Sequence, residues 1–230
     1  MTNMEIKSIL KAKGVENLFH ANTVCTAITF LKSGGLLSRG AVEDMGLIQT
    51  PQISDSDDKK YDVFYDIFFD SVDIHKRTNK LNNYGPLTFV YDLDVIDSLP
   101  EGSVKITKKN PIHWTEDMCD NEKYFIDVDE LESYFKKGDF GQHITLVGQH
   151  RPISFDYLCK IILDNPNLIR YNDRVILRKS RSYIVELLEE CGLIGLLVNR
   201  ECSNQCSCSS QYNSYKEGCI YYKFSPEIEL

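Results

Sequence analysis

The chain has 230 residues, of which 42% are apolar and 26% charged, so it can bury one good-sized core and is not a disordered polymer. Its net charge of -8 excludes a surface built wholly for nucleic acid, while leaving room for a local basic groove. No run of 18 apolar residues occurs and the N-terminus is polar, so neither a membrane span nor a signal peptide is expected. Eight cysteines without a secretory signal then read as reduced thiols in a cytoplasmic protein.

Residues 5 to 13 predict a short helix closed by Gly14, followed by a brief strand in "ENLFHA". Asn22 or Thr23 caps "VCTAITFLKSGG", where Val24, Ala27, Ile28 and Leu31 form an amphipathic stripe that ends at Gly34-Gly35. "LIQTPQISDSDDKK" is polar, contains Pro51 and reads as a covering loop. The aromatic and β-branched run "YDVFYDIFFDSVDIHKR" favours a strand. "GPLTFVYDLDVI" is a strand with Leu87, Phe89, Tyr91 and Leu93 on one face. Asp127 and Glu130 stand at capping-box spacing before a helix that closes at Gly138. "HITLVG" and "LCKIILD" have strand length, "SRSYIVELLEECG" predicts a helix from a Ser cap to Gly192, and "LIGLLVN" a last core strand. The irregular mixture of strands and helices fits α+β around a mostly antiparallel sheet better than a parallel βαβ protein.

Walker-type and Rossmann-type phosphate loops, a G-x-S-x-G elbow and an H-E-x-x-H helix are all missing from the sequence, so nucleotide chemistry here needs another scaffold. The pattern F-H-x-N-T at residues 19 to 23, the following helix and "GGLLSR" resemble the start of the DarT-like ADP-ribosyltransferases. "YDVFYDIFFDSVDIHKR" and "GPLTFVYDLDVI" resemble the family's next segments, over roughly residues 17 to 165, and the likeness is nearer to the CmdT-type enzymes that modify messenger RNA. The resemblance implies a split antiparallel sheet with flanking helices over residues 1 to 200, with a Cys-rich extension, 201 to 230, packed on the same domain. It implies NAD as substrate, nucleic acid as target with RNA preferred to DNA, a silencing antitoxin and a possible chaperone, no membrane, and a role against phage.

Loss of nicotinamide from NAD develops positive charge on the ribose, so the site must orient that sugar and stabilise an oxocarbenium-like state. On the resemblance, His20, Asn22 and Thr23 hold the nicotinamide ribose, and Arg39 neutralises the pyrophosphate. The family also carries a catalytic glutamate at the start of a late strand, and Lys160 occupies that place in "YLCKIILDNP". A lysine opposes both proton acceptance and cation stabilisation. Asp156 or Asp164 could serve in another register, the natural protein could be inactive, or Lys160 could be an inactivating change; the last is preferred.

Other residues carry weaker signals. His143 in "FGQHITLVGQH" reads as a loop histidine before a strand, and Asp70, Asp73 and His75 read as solvated charge rather than an acid–imidazole group or a metal site, for which a third ligand at matching geometry is not evident. Arg170, Arg174, Arg178, Lys179 and Arg181 are a candidate phosphate-tracking stripe, with Tyr171 and Tyr183 as stacking faces. Cys202, Cys206, Cys208 and Cys219 do not have a usual finger spacing, so free thiols are preferred and no metal site is assigned. The alternative to an enzyme is an NAD-site relic or a zinc-stabilised binding module. A nuclease is disfavoured because no carboxylates cluster on adjoining strands.

Overall fold

A computed structural model describes residues 1–202, 206–214 and 218–227. In chain order the helices are α1 (Asn3–Ala12), α2 (Val24–Lys32), α3 (Arg39–Asp44), α4 (Asp55–Lys60), α5 (Ile74–Thr78), α6 (Asp120–Lys123), α7 (Val128–Tyr134), α8 (Tyr171–Glu190), α9 (Cys208–Ser214) and α10 (Cys219–Phe224). The strands are β1 (Asn17–Asn22), β2 (Gly35–Leu36), β3 (Ile67–Phe69), β4 (Leu87–Asp92), β5 (Val104–Ile106), β6 (Ile144–Leu146), β7 (Ile153–Ser154), β8 (Leu158–Asn165) and β9 (Leu197–Glu201). The class is α+β, as expected, with antiparallel sheets flanked by helices.

Two sheets form the frame, in the orders β1-β4-β8-β9 and β3-β6-β5, with a small β2-β7 pair beside them. One bridge, Phe19 to Asp70, joins β1 to the end of β3 through backbone bonds of 3.0 and 2.9 Å. The frame is therefore a seven-strand run split at its middle. Among the described strands only β9 lies parallel to its neighbour.

Cross-strand register sorts the faces of the larger sheet. His20, Phe89 and Ile161 lie opposite one another, as do Phe19, Val90 and Lys160 one residue away. The first face meets α2 through the Phe30–Phe89 ring contact and carries the main core. Cys208, Tyr212, Ile220 and Phe224 from the C-terminal segment belong to that same core. No helix among the described residues is long and apolar enough to cross a membrane.

Local signals account for several elements. Thr23, not Asn22, caps α2 by accepting from the Thr26 amide, and Asp127 caps α7 in the same way. Four expectations are corrected. The polar 47–60 segment contains α4, whose aspartates crowd its first turn and whose lysines close it, matching the helix dipole. Of the aromatic run at 61–77 only Ile67–Phe69 is strand, because Asp73 caps α5 immediately afterwards. Helix α8 begins at Tyr171, well before the predicted Ser cap. Ser180 sits inside it and donates back to Ile176 O at 2.8 Å and to Phe224 O. Finally, β9 is a largely exposed edge strand rather than a core strand.

Arg200 on β9 fastens the edge. Its Nε donates to Asp164 Oδ1 at 2.6 Å and its Nη1 to Asp73 Oδ2 at 2.5 Å, with both carboxylates buried. Removing one partner of such a group typically costs about 3–5 kcal/mol. At about 2–4 °C per kcal/mol for a chain of this size, Arg200→Met should lower Tm by roughly 6–20 °C. Adding Asp164→Asn should recover part of that loss in the same thermal melts.

Candidate functional site

The two sheets part immediately after the Phe19–Asp70 rung. In a continuing ladder Phe68 O would bond to the backbone of β1. Instead it accepts from His20 Nδ1 at 2.8 Å. A carbonyl can only accept, so Nδ1 carries the proton and Nε2 keeps the lone pair. Burial lowers the His20 pKa to about 4, so the imidazole is neutral at pH 7. The rings of Phe30 and Phe69 stand 6.1 and 5.4 Å from it.

The sequence-predicted partners separate from one another at this fork. Asn22 shares the His20 face two residues along β1, and its buried Nδ2 has no hydrogen-bond partner among the described residues. Thr23 is already committed: it caps α2, and its hydroxyl lies 2.6 Å from that of Thr50. The Asn22–Thr23 peptide lies under Gly85, where a Cβ would come within 2.0 Å of Asn22 O, so the backbone there needs glycine. Arg39 opens α3 and pairs through Nε and Nη2 with Asp55, leaving buried Nη1 unpartnered among the described residues.

Lys160 is the outlier. Its register puts it on the face opposite His20, exposed, in an open groove with Phe19, Val90, Lys76, Arg77 and Lys137. Neither alternative carboxylate sits at the fork. Asp164 is spent on Arg200, and Asp156 lies in the exposed turn before β8.

The carboxylate that does sit at the fork is Asp70. The reading of Asp70, Asp73 and His75 as one solvated cluster is corrected, because alternation and the start of α5 send the three side chains to three different places, buried for Asp73 and His75 and half-buried for Asp70. Asp70 Oδ1 is 3.8 Å from His143 Nδ1 and 3.9 Å from Arg77 Nη2. Arg77 stacks over Phe140, and its Nε and Nη2 are buried without hydrogen-bond partners among the described residues. His143 is 6% exposed, not a surface loop histidine; β6 brings it beside β3. Burial raises the Asp70 carboxyl to about 7 against the pull of Arg77, and lowers His143 to about 4. Tyr84, which feels Asp70, Arg77 and Asp58, is also pushed up by burial. Asp58, raised by burial to about 6, in turn feels Arg39. Asp70, Arg77 and His143 therefore form one electrostatic neighbourhood.

This neighbourhood was missed in the sequence because its members lie 73 residues apart, from Asp70 to His143. The usable signal was a carboxylate ending an otherwise aromatic strand. The basic stripe is partly assembled. Arg174, Arg178 and Arg181 line a groove with Asn165 and Asn167, whereas Arg170 pairs with Asp173 and Lys179 lies outside that groove. The expectation of free thiols in the tail is corrected for Cys202 and Cys208, which are bonded to each other, and holds for Cys206 and Cys219.

Neither a family model nor a curated protein matches the chain. Solved structures of DarT from Thermus sp. 2.9 are similar to it. The complex with ADP-ribosylated single-stranded DNA has a TM-score of 0.47 at 12% identity, covering 84% of this chain and 95% of that one. The NAD+ complex has a TM-score of 0.43 at 12% identity, covering 83% and 96%. The carba-NAD+ complex has a TM-score of 0.42 at 11% identity, with the same coverages.

The fork makes a pH prediction. A carboxyl raised from 3.8 to about 7 favours the native state while protonated, and that contribution is lost as pH rises through about 7. His20 and His143, lowered from 6.5 to about 4, contribute above 6.5 and lose that contribution as pH falls through 4. Asp70→Asn should therefore melt progressively higher than the parent as pH goes from 5 to 8. A gap of a few degrees is expected at pH 8 in paired thermal melts.

Proposed function

We propose that the fork binds NAD and that the chain transfers ADP-ribose to a base of nucleic acid. The observation that carries this reading is the pair on β1 at the fork, where His20 keeps an acceptor at Nε2 and Asn22, two residues along the same face, keeps a buried donor without a hydrogen-bond partner among the described residues. A neutral imidazole offers an acceptor at Nε2, while Asn22 Nδ2, Arg39 Nη1 and Arg77 Nε and Nη2 are buried donors without hydrogen-bond partners among the described residues. A ribose hydroxyl suits the first, and carboxamide and pyrophosphate oxygens suit the others. The F-H-x-N-T resemblance supports the same ligand, with Thr23 serving as a cap that positions Asn22 rather than as a contact.

In the reaction the ribose C1′–nicotinamide bond breaks with its electron pair leaving on nicotinamide. A base nitrogen forms the new bond to C1′ and loses its proton. Asp70 is the carboxylate suited to accept that proton and to face the oxocarbenium charge, since a pKa near 7 leaves it part-ionised at neutral pH. The Arg174–Arg178–Arg181 groove supports a strand of nucleic acid. RNA rather than DNA, a silencing antitoxin with or without a chaperone, a role against phage and a cytoplasmic setting rest on the resemblance alone. A second reading, an NAD-binding module without catalysis, is favoured by Lys160 standing where the family has glutamate.

Labelled NAD, presented with RNA, single-stranded DNA and protein in turn, separates these readings. Transfer to nucleic acid should fall about 10²-fold or more in Asp70→Asn and at least about 10-fold in His20→Ala, while Lys160→Glu changes it little. Transfer only after Lys160→Glu would instead mark that position as the missing acid. No transfer by any form, with NAD still retained, would establish the binding module. Arg174→Glu with Arg178→Glu should weaken retention of the nucleic acid and flatten its salt dependence.

A further inference from the structure

We infer that His75, Cys202, Cys206 and Cys208 form a structural zinc site in the reduced chain. One ligand atom from each of the four lies within 4.8 Å of all the others. His75 Nε2 stands 3.3 Å from Cys206 Sγ and 3.8 Å from Cys202 Sγ. A tetrahedral zinc, with metal–sulfur bonds of about 2.3 Å and a metal–nitrogen bond of about 2.0 Å, sets its donors about 3.5–3.8 Å apart. The imidazole is therefore already at coordinating distance from two sulfurs. Three thiolates and one imidazole are the donor set zinc prefers at closed, structural positions.

The surroundings hold these donors in place from both sides. Asp73 caps α5 by accepting from the His75 amide at 3.1 Å, and Arg200 clamps Asp73. From the tail, Ser207 N donates to Asn79 O at 2.9 Å, which pins the Cys206–Cys208 turn to the far end of α5. The Cys208 amide donates to Cys206 Sγ at 3.3 Å, an arrangement that stabilises a thiolate. His75 is 5% exposed and Cys208 fully buried. Cys219, the fourth cysteine of the tail, has other electrostatic neighbours: Lys223, Arg170 and Asp173. The finger spacing looked unfamiliar because the fourth ligand comes from 127 residues upstream of Cys202.

The Cys202–Cys208 bond is the metal-free, oxidised form of the same cluster. A thiol or phosphine reductant supplies two electrons, and with two protons the bond opens to two thiols. Zinc then displaces one proton from each of three cysteines, and His75 binds neutral through Nε2, leaving one net negative charge on the complex.

The full chain, prepared in a phosphine reductant and incubated with zinc, should carry one zinc per chain by elemental analysis after gel filtration. X-ray absorption should give three sulfurs and one nitrogen, and cobalt exchanged into the wild-type chain should show the intense visible bands of a tetrahedral site. Cys206→Ser and His75→Ala should each lower zinc affinity at least 10-fold in competition with a chromophoric chelator, whereas Cys219→Ser leaves it unchanged. A reduced wild-type chain that takes up neither zinc nor cobalt would overturn the assignment. So would an absorption spectrum lacking the three-sulfur, one-nitrogen shell, a readout that does not depend on any variant folding.

Discussion

Everything at the centre of this molecule follows from one rung of backbone hydrogen bonds, Phe19 to Asp70, and from its being the last. Beyond it β1 and β3 diverge, and a buried backbone carbonyl without a partner costs about as much as a lost hydrogen bond. His20 meets that cost by donating Nδ1–H to Phe68 O. The same bond settles the tautomer and turns Nε2 into an acceptor. A structural role and a ligand-binding role therefore need not compete for this histidine, since each uses a different nitrogen.

Burial then sets the charges around the fork. Loss of water drives Asp70 up to about 7 and both His20 and His143 down to about 4, so the two imidazoles are neutral at physiological pH and the carboxyl is balanced between its forms. Arg77 is the fixed cation beside Asp70 and His143. Were His143 protonated, it would hold Asp70 ionised and stabilise the pair without any ligand. Kept neutral, it leaves the carboxylate to respond to a positive charge arriving from elsewhere, and an oxocarbenium centre is such a charge. Lys160 stands exposed on the face of the larger sheet opposite His20, in the groove that Arg77 also lines.

How much of this was readable in advance follows from the range of each signal. Thr23 and Asp127 announce α2 and α7 through side chains that bond within three residues, and the alternation of Leu87, Phe89 and Tyr91 in β4 is equally local. Ser180 misled because the serine signal is ambiguous over short range: a hydroxyl that caps one helix can back-bond inside another. His20 and Asn22 were legible as a pair on one strand. Asp70 with His143, Arg200 with Asp73 and Asp164, and His75 with the tail cysteines were not, because each pairing is made by strand order or by the return of the C-terminal segment. Patterns of period 2 or 3.6 contain no information about which distant strand becomes a neighbour.

The segment from Asp70 to Arg77 explains why those long-range contacts belong together. Asp70 closes the last rung and faces His143, Asp73 caps α5 and takes Arg200, His75 meets the cysteines, and Arg77 returns to Asp70 while lying over Phe140. Strand-end geometry and one short helix thus send four polar side chains to four different partners within eight residues. Since α5 is only five residues long, its own hydrogen bonds cannot hold it. Its position depends on what grips it at Asp73, His75 and Asn79, and all three grips come from β9 and the tail. The C-terminal segment is therefore part of the mechanical support of the fork. Arg77 at the other side of the helix is held separately, by Gly138 O and by the ring of Phe140, so the two ends of the segment have independent anchors.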